Sequence, residues 1–134
     1  MNKLIATAGI ATALASMVAL AAPASAATNP YTAKDACGSS YHELDHQGIT
    51  GAVVYLMYNG TNNCVATIKT ANIGKKTETE AILEVKTNPQ GFYYDDDNYA
   101  YYAAISMPAA GHCIKWGGME IDSIWESSIW DHCG

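Results

Sequence analysis

Apolar and polar positions after residue 26 follow mainly the two-residue period of β-strands, and helix-period patterns are scarce. The clearest unit joins two strand-forming runs, residues 51–58 and 64–69, through the turn residues 59–62. Because Asn and Gly accept the positive φ angles of tight turns, this segment predicts a β-hairpin. Before it, residues 40–44 predict a short strand that is ended by residues 45–48.

Residues 79–87 alternate as well, with Ala81, Leu83 and Val85 predicted on one face of a strand. The good helix formers in this segment make a helix the alternative, and the turn residues 88–91 favour the strand. Residues 113–116 predict a further strand, ended by Gly117 and Gly118. The tail, residues 119–134, permits either a helical turn or a short bent strand.

The segment 92–102 holds five of the nine tyrosines, placed around Asp95, Asp96, Asp97 and Asn98. It predicts two tyrosine-rich strand ends that flank an acidic turn. Short strands separated by turns every eight to twelve residues are typical of all-β domains. The predicted fold is therefore a small antiparallel β-sandwich or barrel-like domain.

The N-terminus has the three parts of a secretory signal peptide: Lys3, an uncharged apolar run over residues 4–20, and the small-residue site Ala24-Ser25-Ala26. A transmembrane anchor is the alternative, but the run is shorter than the roughly 20 apolar residues that a span needs. We expect cleavage after Ala26. Residues 1–26 are then the signal peptide, and residues 27–134 form a single secreted domain.

Residues 27–134 contain six lysines, no arginine and thirteen acidic residues, a formal net charge of about −7. Binding to nucleic acid or to an anionic membrane needs a basic face, which this composition does not supply. We therefore expect no nucleic-acid partner and no membrane contact after signal cleavage. The oligomeric state is left open.

Four cysteines, Cys37, Cys64, Cys113 and Cys133, lie in a chain predicted to be exported, which indicates two disulfides. A zinc site would need closely spaced cysteine pairs, and none occurs. If each terminal segment folds back antiparallel to its neighbouring strand, the bridges are Cys37–Cys64 and Cys113–Cys133. The alternative links Cys37 to Cys133 and Cys64 to Cys113.

Catalytic motifs are missing: the four histidines (His42, His46, His112 and His132) lie outside any nucleophile-elbow, zinc-protease or phosphate-loop pattern. We expect no catalytic residues, no cofactor and no metal. The acidic residues 95–97 lack the ligand spacing of a calcium loop, so we expect no calcium site there.

An aromatic set could stack against sugar rings, and we take it as the candidate ligand surface: Tyr93, Tyr94, Tyr99, Tyr101, Tyr102 and Trp116. The alternative is that the tyrosines are ordinary strand residues whose hydroxyl ends reach water.

Short motifs surround all four cysteines in order: Asn29-Pro30-Tyr31, Cys37-Gly38-Ser39-Ser40-Tyr41, the run 50–58, Asn63-Cys64-Val65, Cys113-Ile114-Lys115-Trp116-Gly117-Gly118 and His132-Cys133-Gly134. With the signal peptide, this arrangement resembles the spore-associated protein A family of secreted actinobacterial proteins. The resemblance implies a location at the spore or the cell exterior, and it carries no catalytic residue or ligand. The predicted function is a non-catalytic extracellular or spore-surface protein. The alternatives are a secreted glycan- or cell-wall-binding module and a small hydrolase.

Overall fold

The computed structural model describes residues 26–134; residues 1–25, which hold most of the predicted signal peptide, lie outside the described residues. Nine elements follow in chain order: α1 (Ala33–Cys37), β1 (His42–Ile49), β2 (Ala52–Tyr58), β3 (Asn62–Lys69), β4 (Thr77–Val85), β5 (Gly91–Tyr99), β6 (Tyr102–Pro108), β7 (Ile114–Glu120) and β8 (Ser123–Glu126). Within residues 26–134 no helix is long and apolar enough to cross a membrane.

The strands form two antiparallel sheets, with the orders β1-β2-β3-β6 and β5-β4-β7-β8. The sheets pack face to face as a sandwich. Alternate residues of the central strands point into the core between them, among them Val54, Leu56, Val65, Leu83 and Trp116. The hairpin of β2 and β3 is as predicted, and residues 79–87 lie largely in a strand that turns Ala81, Leu83 and Val85 inward.

The acidic residues 95–97 do not form a turn, so this prediction was wrong. They lie inside β5, which continues to Tyr99, and the chain turns at Ala100 and Tyr101 instead. β5 is an edge strand of the second sheet, so its polar side chains remain partly or fully exposed to water. Exposure, rather than a turn, accounts for three consecutive carboxylates there.

Gly117 and Gly118 likewise do not end a strand, because β7 runs through both residues. A Cβ atom on Gly118 would lie 2.1 Å from Thr67 Oγ1 of the facing sheet and 2.9 Å from Val54 Cγ2. Glycine is needed here because the two sheets approach too closely for a side chain. The prediction mistook a packing requirement for a turn.

Residues 45–48 also continue a strand instead of ending one. β1 extends to Ile49, and its pairing with β2 shifts between Glu43 and Asp45. A β-bulge lets the strand continue past a local change in register. Nearly every residue of β1 is exposed, since it lies at the edge of the first sheet.

The disulfides are Cys37–Cys64 and Cys113–Cys133, with Cα–Cα distances of 6.0 and 3.7 Å. This is the pairing that the strand geometry predicts. The tail forms the bent strand β8 and then returns beside the start of β7, where Asp131 and Ile114 exchange two backbone hydrogen bonds. The return brings Cys133 to Cys113.

The helix α1 was not predicted, although its start carries a recognisable signal. Thr32 accepts a hydrogen bond from the Asp35 amide, and the Asp35 carboxylate accepts one from the Thr32 amide. This capping box satisfies amides that the first helical turn leaves free. The Cys37–Cys64 bridge holds α1 on the outer face of the first sheet, where Ala33 and Tyr41 pack against Met57.

Candidate functional site

The predicted aromatic surface is divided among separate parts of the molecule. Trp116 is only 3% exposed and lies in the core, edge-on to Trp125 at a centroid distance of 4.8 Å. Tyr93 packs against the same core, whereas Tyr94 is exposed on the outer face of the second sheet. Trp116, Tyr93 and Tyr94 therefore cannot form one sugar-stacking platform.

The other three predicted tyrosines, Tyr99, Tyr101 and Tyr102, meet in a cleft that Tyr31 and Asp95 also line. We call it the tyrosine cleft. This cleft has a volume of about 380 Å³ and lies where β5 turns into β6. The Tyr31 ring stands edge-on to Tyr101 and Tyr102, at centroid distances of 5.2 and 5.4 Å. Tyr31 was not among the predicted ligand residues, because its sequence position is far from the tyrosine-rich segment.

Tyr31 is held in place by the residues on either side of it. The Asn29 side-chain amide donates hydrogen bonds to the carbonyl oxygens of Lys69 at 3.0 Å and Tyr101 at 2.8 Å. On the other side, the capping box of Thr32 fixes the start of α1. These contacts fix the segment on the first sheet, so the Tyr31 ring has a defined position.

Asp95 organises the inner wall of the cleft. Its carboxylate accepts a hydrogen bond from the Tyr99 hydroxyl at 2.5 Å and another from the Ala104 amide at 3.0 Å. The bond to Asp95, together with burial, raises the pKa of Tyr99 to about 12. Tyr99 therefore remains a neutral hydroxyl at physiological pH, and both oxygens of Asp95 have structural partners.

A wider groove of about 810 Å³ adjoins the cleft on the outer face of the first sheet. Tyr55, Met57 and Ile68 line it beneath the N-terminal segment, and Lys34 and Glu43 contribute charged groups. Tyr31 lines both cavities. The cleft and the groove are thus neighbouring concavities that share one tyrosine.

The histidines do not gather into one site. His46 Nδ1 lies 2.5 Å from Glu43 Oε1 on the exposed strand β1, and His132 Nε2 lies 4.0 Å from Asp45 Oδ2. His112 is exposed in the loop after β6. Across residues 26–134, no cluster of three or more His, Cys, Asp or Glu side chains could hold a metal ion.

A buried ion pair, Lys69 with Glu120, was missed in the sequence. Lys69 Nζ lies 3.8 Å from Glu120 Oε1, and both side chains are almost fully buried between the sheets. The ammonium donates to the carbonyl oxygens of Lys75 and Tyr99, and the carboxylate accepts from the hydroxyls of Thr77 and Thr79. Burial lowers the pKa of Lys69, and the nearby Glu120 opposes that effect. Because both charged groups are hydrogen-bonded within the protein, we interpret the pair as a structural link between the two sheets.

Comparison with known proteins found no matching protein-family model and no matching solved structure. Among curated proteins, the chain is similar to Spore-associated protein A of Streptomyces coelicolor. The two are 33% identical over 128 residues, an alignment that covers 90% of this chain and 80% of the relative. Identity of this extent over nearly the whole length shows that the chain belongs to the spore-associated protein A family.

Proposed function

We propose that the protein is a non-catalytic extracellular protein associated with the spore or cell surface. The observation that carries this proposal is the relationship to Spore-associated protein A. Two disulfides support it, because such bonds persist in oxidising, extracellular surroundings. The family name describes where the relative is found, and the location is what we extend to this chain.

A non-catalytic role is supported by how the polar groups of the tyrosine cleft are used. General acid–base catalysis needs a titratable group within reach of a substrate proton. Asp95 instead has both oxygens in structural hydrogen bonds, and Tyr99 has a pKa raised to about 12. Turnover of any substrate in a broad hydrolase screen would contradict this part of the proposal.

Location is tested by fractionating a sporulating culture that produces the protein. Immunoblots should detect it in the medium, in the cell-wall fraction or on washed spores, and N-terminal sequencing should begin at Ala27. A cytosolic protein that retains residues 1–26 would contradict the proposal.

Glycan or cell-wall binding is the second candidate, and the tyrosine cleft favours it. Tyrosine offers an apolar ring for the C–H faces of a sugar and a hydroxyl for its polar groups. Tyr31 is 42% exposed at the junction of the cleft and the groove, so a chain of sugar rings could contact both cavities.

Sedimentation with purified cell wall and a glycan array test this candidate. Saturable binding should fall about fivefold or more in Tyr31→Ala and in Tyr101→Ala, since stacking on one ring is worth roughly 1 kcal/mol or more. Tyr94→Ala is the matched control, because Tyr94 is an exposed tyrosine on the outer face of the second sheet and does not line the cleft. Equal losses in all three variants, or no binding by the wild type, would exclude the cleft.

A further inference from the structure

The outward-facing side chains of the second sheet form a surface that no helix of the described chain covers, and only Trp130 of the C-terminal tail lies against one end of it. We call this surface the second-sheet face. Three of its large apolar residues are strongly exposed: Phe92 by 52%, Tyr94 by 58% and Ile124 by 60%. The first sheet differs, since α1 and the segment before it lie over its outer face and a disulfide holds them there. The chain therefore covers the outer face of the first sheet more fully than that of the second.

The apolar residues of this face form a band in which Ile82, at the centre, is only 4% exposed and the others are exposed or half-buried. The rings of Phe92 and Tyr94 lie 5.7 Å apart on the edge strand β5. Strand register places Tyr94 beside Ile82 on β4, and Ile124 on β8 beside Met119 on β7. The band thus crosses all four strands. Exposed apolar residues grouped on one surface often mark an interaction site.

Carboxylates surround the band: Glu80, Glu84, Asp96 and Glu126. Glu80 lies directly opposite Asp96 in the strand register. None of the four has a cationic partner within 4.0 Å among residues 26–134. Burial raises the pKa of Glu80 and of Glu126, and neighbouring carboxylates add to the effect in both cases. Lys115 lies opposite Glu84 in the strand register and counteracts the rise at Glu126, so the negative charge is partly compensated there and, within the described chain, uncompensated at Glu80 and Asp96.

Two lysines, Lys86 and Lys115, occupy one end of the face. Their ammonium groups lie 5.8 and 5.1 Å from the centroid of the Trp130 ring, in cation–π geometry. Away from these lysines, the face combines aromatic rings with the carboxylates of Glu80 and Asp96. This combination suits lysine and arginine side chains, which have apolar stems and cationic ends.

We propose that the second-sheet face docks a lysine- or arginine-rich segment of a partner protein. The stems of the basic side chains lie on Phe92 and Tyr94, and their cationic groups meet Glu80, Asp96 and Glu126. A second copy of this chain fits poorly, because a face-to-face pair would oppose identical carboxylates on two acidic molecules. The proposal is independent of glycan binding at the tyrosine cleft, which lies elsewhere.

Fluorescence anisotropy of the secreted chain, residues 27–134, with labelled decalysine at physiological salt tests the proposal. Two double variants address the face: Phe92→Ser/Tyr94→Ser removes the aromatic rings, and Glu80→Gln/Glu126→Gln removes charge with almost no change in volume. Each should weaken binding at least about tenfold, which is about 1.4 kcal/mol, because the basic side chains lose either their aromatic contacts or their counter-charges.

The matched control is Glu43→Gln/Asp45→Asn, which removes the same charge from the exposed strand β1 of the first sheet. It should change the affinity by less than about twofold, because ion pairs formed by fully exposed side chains contribute little binding energy. Equal losses in the face and control variants would show attraction to net charge alone and overturn the proposal. Absence of binding by the wild type would also overturn it. So would a wild-type dimer, seen by sedimentation, that Phe92→Ser/Tyr94→Ser converts to monomer.

Discussion

At the scale of single residues, the ion pair of Lys69 and Glu120 is the most demanding feature of the core. Two charges between the sheets lose their hydration, and the loss is tolerated because each side chain also has two hydrogen-bond partners. Lys69 ends β3 of the first sheet, and Glu120 ends β7 of the second. The pair therefore fixes how one end of the two layers meets.

Glu120→Gln should lower the free energy of unfolding by about 3–5 kcal/mol, because it leaves the Lys69 ammonium buried without a counter-charge. Urea denaturation measures the change. Asp122→Asn, in the exposed turn two residues away, is the control and should change stability by about 0.5 kcal/mol or less. The double variant Lys69→Met/Glu120→Gln should be more stable than the sum of its single changes; strict additivity would disprove the coupling.

Gly118 is a second position where the packing of the core restricts the residue type, because it leaves no room for a side chain. Gly118→Ala should destabilise the protein by roughly 1–3 kcal/mol, because the added Cβ would overlap Thr67 Oγ1 and crowd Val54. The control is Gly48→Ala on β1, where a Cβ would meet nothing within 4 Å. Thermal melting compares the two variants, and equal melting temperatures would show that the sheets can separate at no cost.

Glu80 gives the stability of the protein a pH dependence. Its pKa in the folded state lies above the ordinary value of 4.5, first because of burial and then because of Asp96, Glu126 and Glu78. The folded state therefore binds the proton more tightly than the unfolded state, and stability from this group is lost as pH rises through the folded-state pKa.

Glu80→Gln should consequently raise the free energy of unfolding at pH 7, by roughly 0.2–1 kcal/mol as for other like-charged cross-strand pairs. At about pH 3.5 the gain should vanish, because Glu80 is then protonated in both states. Urea denaturation at the two pH values measures it. A gain in stability that is larger at the acidic pH would contradict the raised pKa of Glu80 in the folded state.

At the scale of elements, the three consecutive aspartates of the edge strand β5 make different contacts. Asp95 turns inward and caps the amide of Ala104 on β6, the open edge of the other sheet. Asp96 faces outward beside Glu80, and Asp97 accepts a hydrogen bond from the next amide in the chain. Alternation along the strand thus gives three neighbouring carboxylates different surroundings.

Because these carboxylates do not converge, millimolar calcium should leave the melting temperature unchanged. A ligand that binds only the folded state must raise stability by mass action, so melting curves with and without calcium decide the matter. EDTA-treated protein is the control for metal already bound. A rise of several degrees that Asp96→Asn abolishes would contradict this prediction.

At the scale of the whole molecule, each sheet has its own disulfide. Cys37–Cys64 joins α1 to β3 of the first sheet, and Cys113–Cys133 joins the C-terminal tail to the start of β7 in the second. Both close short loops, with sequence separations of 27 and 20 residues. The two bridges hold the terminal segments against the sandwich.

Replacing Cys37 and Cys64 together by alanine should cost roughly 3–4 kcal/mol, because the unfolded chain regains the freedom that the bridge removes. Non-reducing tryptic mapping checks the pairing itself. Both Cys37 and Cys64 lie in the peptide 35–69, and the peptide 87–115 should be linked to 116–134 through Cys113 and Cys133. A species that joins 35–69 to 116–134 would refute this connectivity.

The sequence by itself determined the all-β class, the central hairpin and the strand at residues 79–87. Their alternation is local, and a strand with one buried face must alternate to stay in register. The pairing of the cysteines followed from the same reasoning, because hairpins place successive strand ends side by side. The capping box of α1 is also local in the sequence, although a pattern of apolar and polar positions does not reveal it.

Only the tertiary structure decided what depends on contacts between distant residues. Gly117 and Gly118 read as a turn until packing showed why no side chain fits: a Cβ on Gly117 would overlap the neighbouring strand β8, and one on Gly118 would overlap the facing sheet. Lys69 and Glu120 lie 51 positions apart, and no local pattern indicates their pairing, because only the packing of the two sheets brings them together. The tyrosines lie in the core, in the cleft and on the outer face, because each strand turns alternate residues to opposite sides. Which of those sides is covered depends on the order of the strands in the sheets.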